Sequence, residues 1–121
     1  MNKTLYDAEH FDFAAWQKLD LFDQLGNISS EVGRSFQALR LGDESRARGA
    51  FFRGIDLLNA TIQTLAKTAK SSKLNKARLK EVLYAREEFA KAYLNGQPDE
   101  ALEKYFHHFA ILTKLKPLKQ F

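Results

Sequence analysis

The sequence predicts an all-α protein, folded as an antiparallel up-down four-helix bundle in a single domain that covers residues 1–121. Four segments carry apolar residues three or four positions apart, which is the spacing of an amphipathic helix. Short breaks containing glycine, serine, asparagine or proline separate these segments, and strand-like alternation never extends beyond about five residues. Apolar residues make up 45% of the chain and charged residues 28%, the balance of an ordinary globular domain.

The first predicted helix extends from Phe13 to Leu41. Its apolar residues fall on one face because they step by three or four positions: Leu21, Leu25, Ile28, Val32, Phe36 and Leu39. Gly42 suits the left-handed conformation that often ends a helix, and Asp43 is a good N-cap for the next one. Residues 1–12 are predicted to form a flexible or irregular N-terminal segment.

The second predicted helix extends from Glu44 to Ala69, and its wide apolar face indicates a central position. Its inward stripe alternates by four and three residues: Phe51, Ile55, Leu58, Ile62, Leu65 and Ala69. The third predicted helix extends from Lys76 to Leu94 and ends at Asn95-Gly96.

The fourth predicted helix has Pro98 in its first turn, where a missing N–H is tolerated. Asp99 and Glu100 lie favourably beside the positive end of its dipole. The Lys116-Pro117 step is expected to stop this helix, which leaves residues 117–121 as a tail.

A stripe of small residues lies inside the first helix, at Gly26, Ser29, Ser30 and Gly33. Each glycine lowers helix propensity by about 1 kcal/mol, so the stripe calls for an explanation. It favours the close approach of a neighbouring helix. The alternative is a groove or a dimer contact, and both use the missing side chains.

Arg86 falls on the inward stripe of the third helix, where an apolar residue is expected. A buried arginine requires a partner, because an unpaired internal charge costs several kcal/mol. Glu31 is the preferred partner, in an ion pair that fixes helix register. Alternatively, Arg86, Glu31 and Arg34 line a polar pocket for a small ligand, or an interface between protomers.

The net charge is only +4, but the positive charges are unevenly distributed. No acidic residue occurs between Asp56 and Glu81, and this stretch contains six bases: Lys67, Lys70, Lys73, Lys76, Arg78 and Lys80. Near the C-terminus lie Lys114, Lys116 and Lys119. An up-down bundle brings these residues to one basic pole, which is a candidate surface for nucleic acid or another polyanion. Lysines at helix ends also favour the helix dipole without any ligand.

Catalytic and metal-binding motifs are not recognised in this sequence, so no cofactor, metal site or enzymatic activity is predicted. Cysteine is absent, which excludes disulfides and thiolate chemistry. His107 and His108 are adjacent and therefore point about 100° apart on a helix, which prevents them from chelating one metal ion together. Phosphate-binding glycine loops, nucleophile elbows and zinc-binding helical motifs are also missing.

A cytoplasmic protein without membrane contact is the expectation. The segment from Met1 to Trp16 contains three acids and no apolar core of a signal peptide. The longest uncharged stretch, Leu57 to Ala66, is about half of what a membrane span needs.

Three runs of the sequence form a pattern: Leu25 to Arg34, then Arg78 to Val82 with Arg86-Glu87, then Glu103 to Phe106. This pattern resembles N-I-G-S-E-V-G-R, R-L-K-E with R-E, and K-Y-F in a family of small bacterial proteins without known activity. Ser29 stands where that family has glycine. The resemblance covers Trp16 to Phe109 and implies a helical fold. It also draws attention to the polar motif residues: Asn27, Ser30, Glu31, Arg34, Arg86, Glu87, Lys104 and Tyr105.

Taken together, these features favour a non-enzymatic helical protein that acts through protein–protein association, with a homodimer as the preferred state. The excess of apolar helix surface and the small-residue stripe motivate this hypothesis. The alternative is a nucleic-acid-binding accessory protein that uses the basic pole from Lys67 to Lys80 and the C-terminal lysines.

Overall fold

The computed structural model describes residues 6–7 and 10–119, with side chains from 11 to 112. The described chain is helical apart from one short antiparallel strand pair. In chain order the elements are β1 (Tyr6–Asp7), β2 (His10–Phe11), α1 (Phe13–Gln17), α2 (Leu21–Arg40), α3 (Glu44–Ala69), α4 (Lys73–Leu94) and α5 (Glu100–Lys119). Of the predicted N-terminal segment 1–12, residues 1–5 and 8–9 lie outside the described residues, as do 120–121 of the predicted tail.

The prediction of one continuous helix from Phe13 to Leu41 is wrong, because the chain breaks between α1 and α2. Asp20 caps the start of α2, where its carboxylate accepts the backbone N–H of Asp23. The amide of Gln24 donates to the backbone carbonyls of Trp16 and Leu19, at 3.0 and 3.3 Å. A buried side chain therefore replaces the intrahelical bonds lost at the break.

Trp16 anchors the short helix α1 to the rest of the protein. Its side chain is fully buried, and its indole N–H donates to the hydroxyl of Thr61 on α3 at 3.1 Å. The ring of Phe11 lies 6.0 Å away, centroid to centroid. These contacts fix α1 against α3.

The other helix boundaries follow local capping. Helix α3 has the predicted bounds, whereas α4 begins three residues earlier than predicted because Ser72 caps it. The side chain of Asp99 caps α5, so Pro98 precedes the helix instead of lying in its first turn. The predicted stop at Lys116-Pro117 is wrong, since α5 continues to Lys119. A proline in the last turn removes a single backbone donor there.

The long helices pack against one another through specific side-chain contacts. The hydroxyl of Ser35 on α2 donates to the Ala47 carbonyl on α3, and an Arg40–Glu103 ion pair joins α2 to α5. Helix α3 packs against both α2 and α4, and α2 against both α3 and α5. Helices α4 and α5, in contrast, approach each other at few places. One side of the protein is therefore open.

Aromatic rings fill the core between the helices. The ring of Phe89 on α4 lies 5.6 Å from Phe36 and 5.0 Å from Phe51, measured between centroids, and is fully buried. Phe51 also stacks on Tyr93 at 4.1 Å. Among the described helices, none has the length and apolarity that crossing a bilayer requires.

Candidate functional site

A groove of about 530 Å³ lies on the open side, between α4 and α5. Its floor consists of the buried side chains of Ala85 and Leu102. The residues that surround this floor are Lys80, Glu81, Tyr84, Glu88, Asp99, Ala101 and Tyr105. The floor is therefore part of the core, and the apolar groups that remain exposed at the groove are those of Tyr84 and Ala101 around it.

Tyr84 is the most prominent side chain of the groove. It lies 64% exposed on α4, although its aromatic ring is of a type that usually occurs in cores and interfaces. Lys80 and Glu88 lie four positions before and after it, one helical turn away on each side. The exposed Ala77 and Lys91 extend the same face by three further residues in each direction. This face of α4 thus has a tyrosine between two opposite charges.

A hydrogen bond joins the two walls of the groove. The hydroxyl of Tyr105 on α5 donates to Oε1 of Glu81 on α4 at 3.1 Å. Burial of the phenol, reinforced by this bond and by the nearby negative charge, raises the pKa of Tyr105 to about 12. Tyr105 therefore remains a neutral donor at physiological pH.

The charged groups at the rim of the groove are held by local contacts. Asp99 caps α5 through the backbone N–H of Leu102, and Glu88 lies 3.5 Å from the ammonium of Lys91. Within the described residues, no three histidine, aspartate or glutamate side chains are close enough to hold a metal ion. The arrangement is thus an apolar floor with a charged rim, which is the composition of a contact surface.

The polar residues predicted from the sequence do not form one cluster. Glu31 is buried, but the arginine that reaches it from a neighbouring helix is Arg53 on α3, with Nε at 3.2 Å from both carboxylate oxygens. Arg34 adds a second contact at 3.2 Å. The expected Glu31–Arg86 pair is not formed, because Arg86 is only half-buried and donates to Oδ1 of Asn59 at 2.6 Å. Arg86 therefore stays at the α3–α4 boundary.

The small-residue stripe does not receive a neighbouring helix at Gly33. A methyl group placed on Gly33 would meet no atom within 4 Å, and Gly33 and Ser29 line a shallow cleft between α2 and α5. Ser30 is exposed, with its hydroxyl 3.5 Å from the carbonyl of Gly26. The close approach occurs instead at Gly54 on α3, where a methyl group would lie 2.9 Å from the Phe89 ring.

The predicted basic residues cluster at the turn between α3 and α4. Lys70, Lys73 and Lys76 are exposed and line a cleft of about 420 Å³ together with Ser71 and Ser72. Three other predicted members have different surroundings: Lys67 lies over the ring of Phe13, Arg78 donates to Asn75, and Lys80 lines the α4–α5 groove. The side chains of Lys114, Lys116 and Lys119 lie outside the described residues.

Sequence reasoning missed the α4–α5 groove, although one signal was present. Tyr84 lies off the inward stripe of its helix, and a large aromatic residue at such a position is unusual on a solvated face. Comparison with family models, curated proteins and solved structures finds no match. The family resemblance therefore stays a prediction, and the groove is interpreted from its own chemistry.

Proposed function

We propose that this protein acts through protein–protein association, as a homodimer in which each copy fills the α4–α5 groove of the other. The observation that carries this proposal is the exposed ring of Tyr84 beside a groove whose floor is apolar. An apolar surface of this kind favours a partner over water, and a helix is the shape that fits between two helices.

A second copy is the occupant that the charges favour. If two α4 helices pack antiparallel around a two-fold axis at Tyr84, then Lys80 of each copy faces Glu88 of the other. In the same register, Lys91 faces Ala77, whereas Glu81, which accepts the Tyr105 hydroxyl within its own chain, faces Glu87. A parallel arrangement would instead bring Lys80 to Lys80 and Glu88 to Glu88, which is repulsive. The two Lys80–Glu88 pairs thus favour the antiparallel orientation over the parallel one.

The antiparallel arrangement also covers the groove. When α4 of one copy lies between α4 and α5 of the other, symmetry repeats the contact, and the four helices form an interfacial bundle. Tyr84 and Ala101 of both copies then lose contact with water. The intrachain Glu88–Lys91 contact is long and exposed, so it offers little competition with the pairing to Lys80.

The decisive experiment is a charge swap read out by light scattering after size-exclusion chromatography. We expect the wild type at twice the monomer mass of 13.9 kDa. Lys80→Glu and Glu88→Lys each create two repulsive pairs and should weaken the dimer by about 10- to 100-fold. The double variant restores both pairs and should dimerise again, and a mixture of the two single variants should form a heterodimer.

Arg48→Glu is the matched control, because it makes the same change of charge at an exposed position on α3, away from the groove. We expect it to dimerise like the wild type. A monomeric wild type at about 100 μM, a concentration that detects even micromolar affinity, would contradict the proposal. Single variants as dimeric as the wild type, or a double variant that stays monomeric, would also contradict it.

The proposal includes three further expectations from the sequence. The four long helices form an up-down bundle whose fourth side is closed by the second copy, the protein is cytoplasmic, and it catalyses no reaction. Pairs of contacts that run oppositely along the two helices support the first of these, namely Ser35–Ala47 with Glu31–Arg53 for α2 and α3, and Asn59–Arg86 with Phe51–Tyr93 for α3 and α4. The absence of a recognised catalytic motif in the sequence supports the last.

A further inference from the structure

The turn between α3 and α4 concentrates positive charge around a cleft that the proposed dimer contact does not use. Lys70, Lys73 and Lys76, which we call the basic turn, are all exposed and border the same cleft of about 420 Å³. The hydroxyl residues Ser71 and Ser72 complete its rim. The sequence has no acidic residue from position 57 to position 80 that could neutralise this charge.

The basic turn is a group of three neighbouring cations, none of which forms an ion pair with a described carboxylate. Elsewhere in the described structure five bases lie within 4.0 Å of a carboxylate: Arg34, Arg40, Arg46, Arg53 and Lys91. None of the three lysines has a described carboxylate within that distance. Three neighbouring cations without counter-charges repel one another, and a polyanion removes that repulsion.

We propose that the basic turn binds the phosphate backbone of double-stranded nucleic acid, without reading its sequence. Lysine supplies mobile point charges that suit phosphates, whereas base recognition relies on planar or amide side chains. No aromatic residue lines this cleft, so the stacking platform that single strands require is missing. The apolar residues that line the cleft, Ala69 and Leu79, are half-buried, and Leu74 beside it is a single exposed apolar side chain, whereas membrane binding would need a whole apolar helix face.

The test is the anisotropy of two fluorescent 20-base-pair duplexes of unrelated sequence, titrated with full-length protein at several salt concentrations. Three phosphate contacts give a slope of log affinity against log salt of about −2.7, so raising the salt from 50 to 200 mM should weaken binding about 40-fold. Both duplexes should bind equally. Replacing the three lysines by glutamine should remove most of the binding and flatten the slope.

Two control variants distinguish the effect of the basic turn on duplex affinity from the effect of net charge. Lys18→Gln, Arg48→Gln and Lys104→Gln together remove the same charge from exposed positions just after α1, on α3 and on α5, and this variant should bind like the wild type. The triple arginine variant of the basic turn should keep its affinity. Equal losses in the two triple glutamine variants, affinity indifferent to salt, or binding to phosphatidylserine vesicles but not to duplexes would each overturn the proposal. Because the three lysines lie outside the groove, their replacement should leave the dimer contact intact, and light scattering distinguishes a loss of duplex binding from a loss of the dimer.

Discussion

Replacing Gly54 by alanine tests how tightly α3 packs against α4. The added methyl group would lie 2.9 Å from Cε2 of Phe89 and 3.4 Å from Cβ of Glu31. The Phe89 ring has no room to retreat, because it is fully buried between the rings of Phe36 and Phe51. Overpacking of this kind costs about 1–3 kcal/mol, against which alanine gains about 1 kcal/mol of helix propensity.

Gly33→Ala provides the matched comparison, since nothing lies within 4 Å of the position where its methyl group would be placed. The higher helix propensity of alanine should raise the free energy of unfolding of this variant by about 1 kcal/mol, which raises the melting temperature by about 4 °C for a domain of this size. Because the propensity gain is common to both variants, the difference between them is the packing cost alone. Urea unfolding followed by circular dichroism measures that difference. Equal stability of the two variants would refute the assignment of Gly54 as the packing glycine, and a destabilised Gly33→Ala would show that the small-residue stripe is covered.

Three further measurements test single contacts. Thr61→Val should lower the free energy of unfolding by about 1–3 kcal/mol, because it leaves the buried indole N–H of Trp16 without an acceptor. Urea unfolding followed by tryptophan fluorescence measures this loss, and an unchanged midpoint would contradict it. The phenol of Tyr105 should titrate near pH 12 in an absorbance experiment, and Tyr105→Phe should remove that step. The contribution of the neutral phenol to stability should be lost between pH 10 and 12, because the tyrosine of the unfolded state ionises first. Arg53→Met should lower the free energy of unfolding by about 1–3 kcal/mol, because it removes an ion-pair partner of the buried Glu31 carboxylate. Arg86→Met should lower it by less than about 1 kcal/mol. If thermal unfolding gave the reverse order, Arg86 would be the internal partner of Glu31 after all.

The helices and their order could be predicted from the sequence because the signals are local. The bounds of α3 follow from the cap at Asp43 and from an unbroken apolar stripe. The break before α2 could not be found in this way, since the apolar period continues across it and the break depends on how the Gln24 side chain folds back.

The candidate site depended on the relative rotation of helices, which a periodic pattern does not contain. Arg53 and Arg86 both lie at the edges of apolar stripes, and only the packing of α2 against α3 decides which one reaches Glu31. Gly33 and Gly54 are likewise indistinguishable in sequence, although one is open and the other is in close contact. The groove was missed for the same reason, because the separation of α4 from α5 is a tertiary property.

The two proposals constrain each other through the length of α4. Lys73 lies eleven residues before Tyr84, so an antiparallel pair centred on Tyr84 separates the two Lys73 residues by about 33 Å along the helix axis, at a rise of about 1.5 Å per residue. One turn of B-form DNA has nearly the same length, about 34 Å. If both proposals hold, two basic turns engage one duplex and each contributes the salt slope calculated for three lysines, so Glu88→Lys should weaken binding through loss of the dimer although it adds a positive charge. Tighter duplex binding by Glu88→Lys would show that net charge alone governs the affinity and that dimerisation contributes nothing to it.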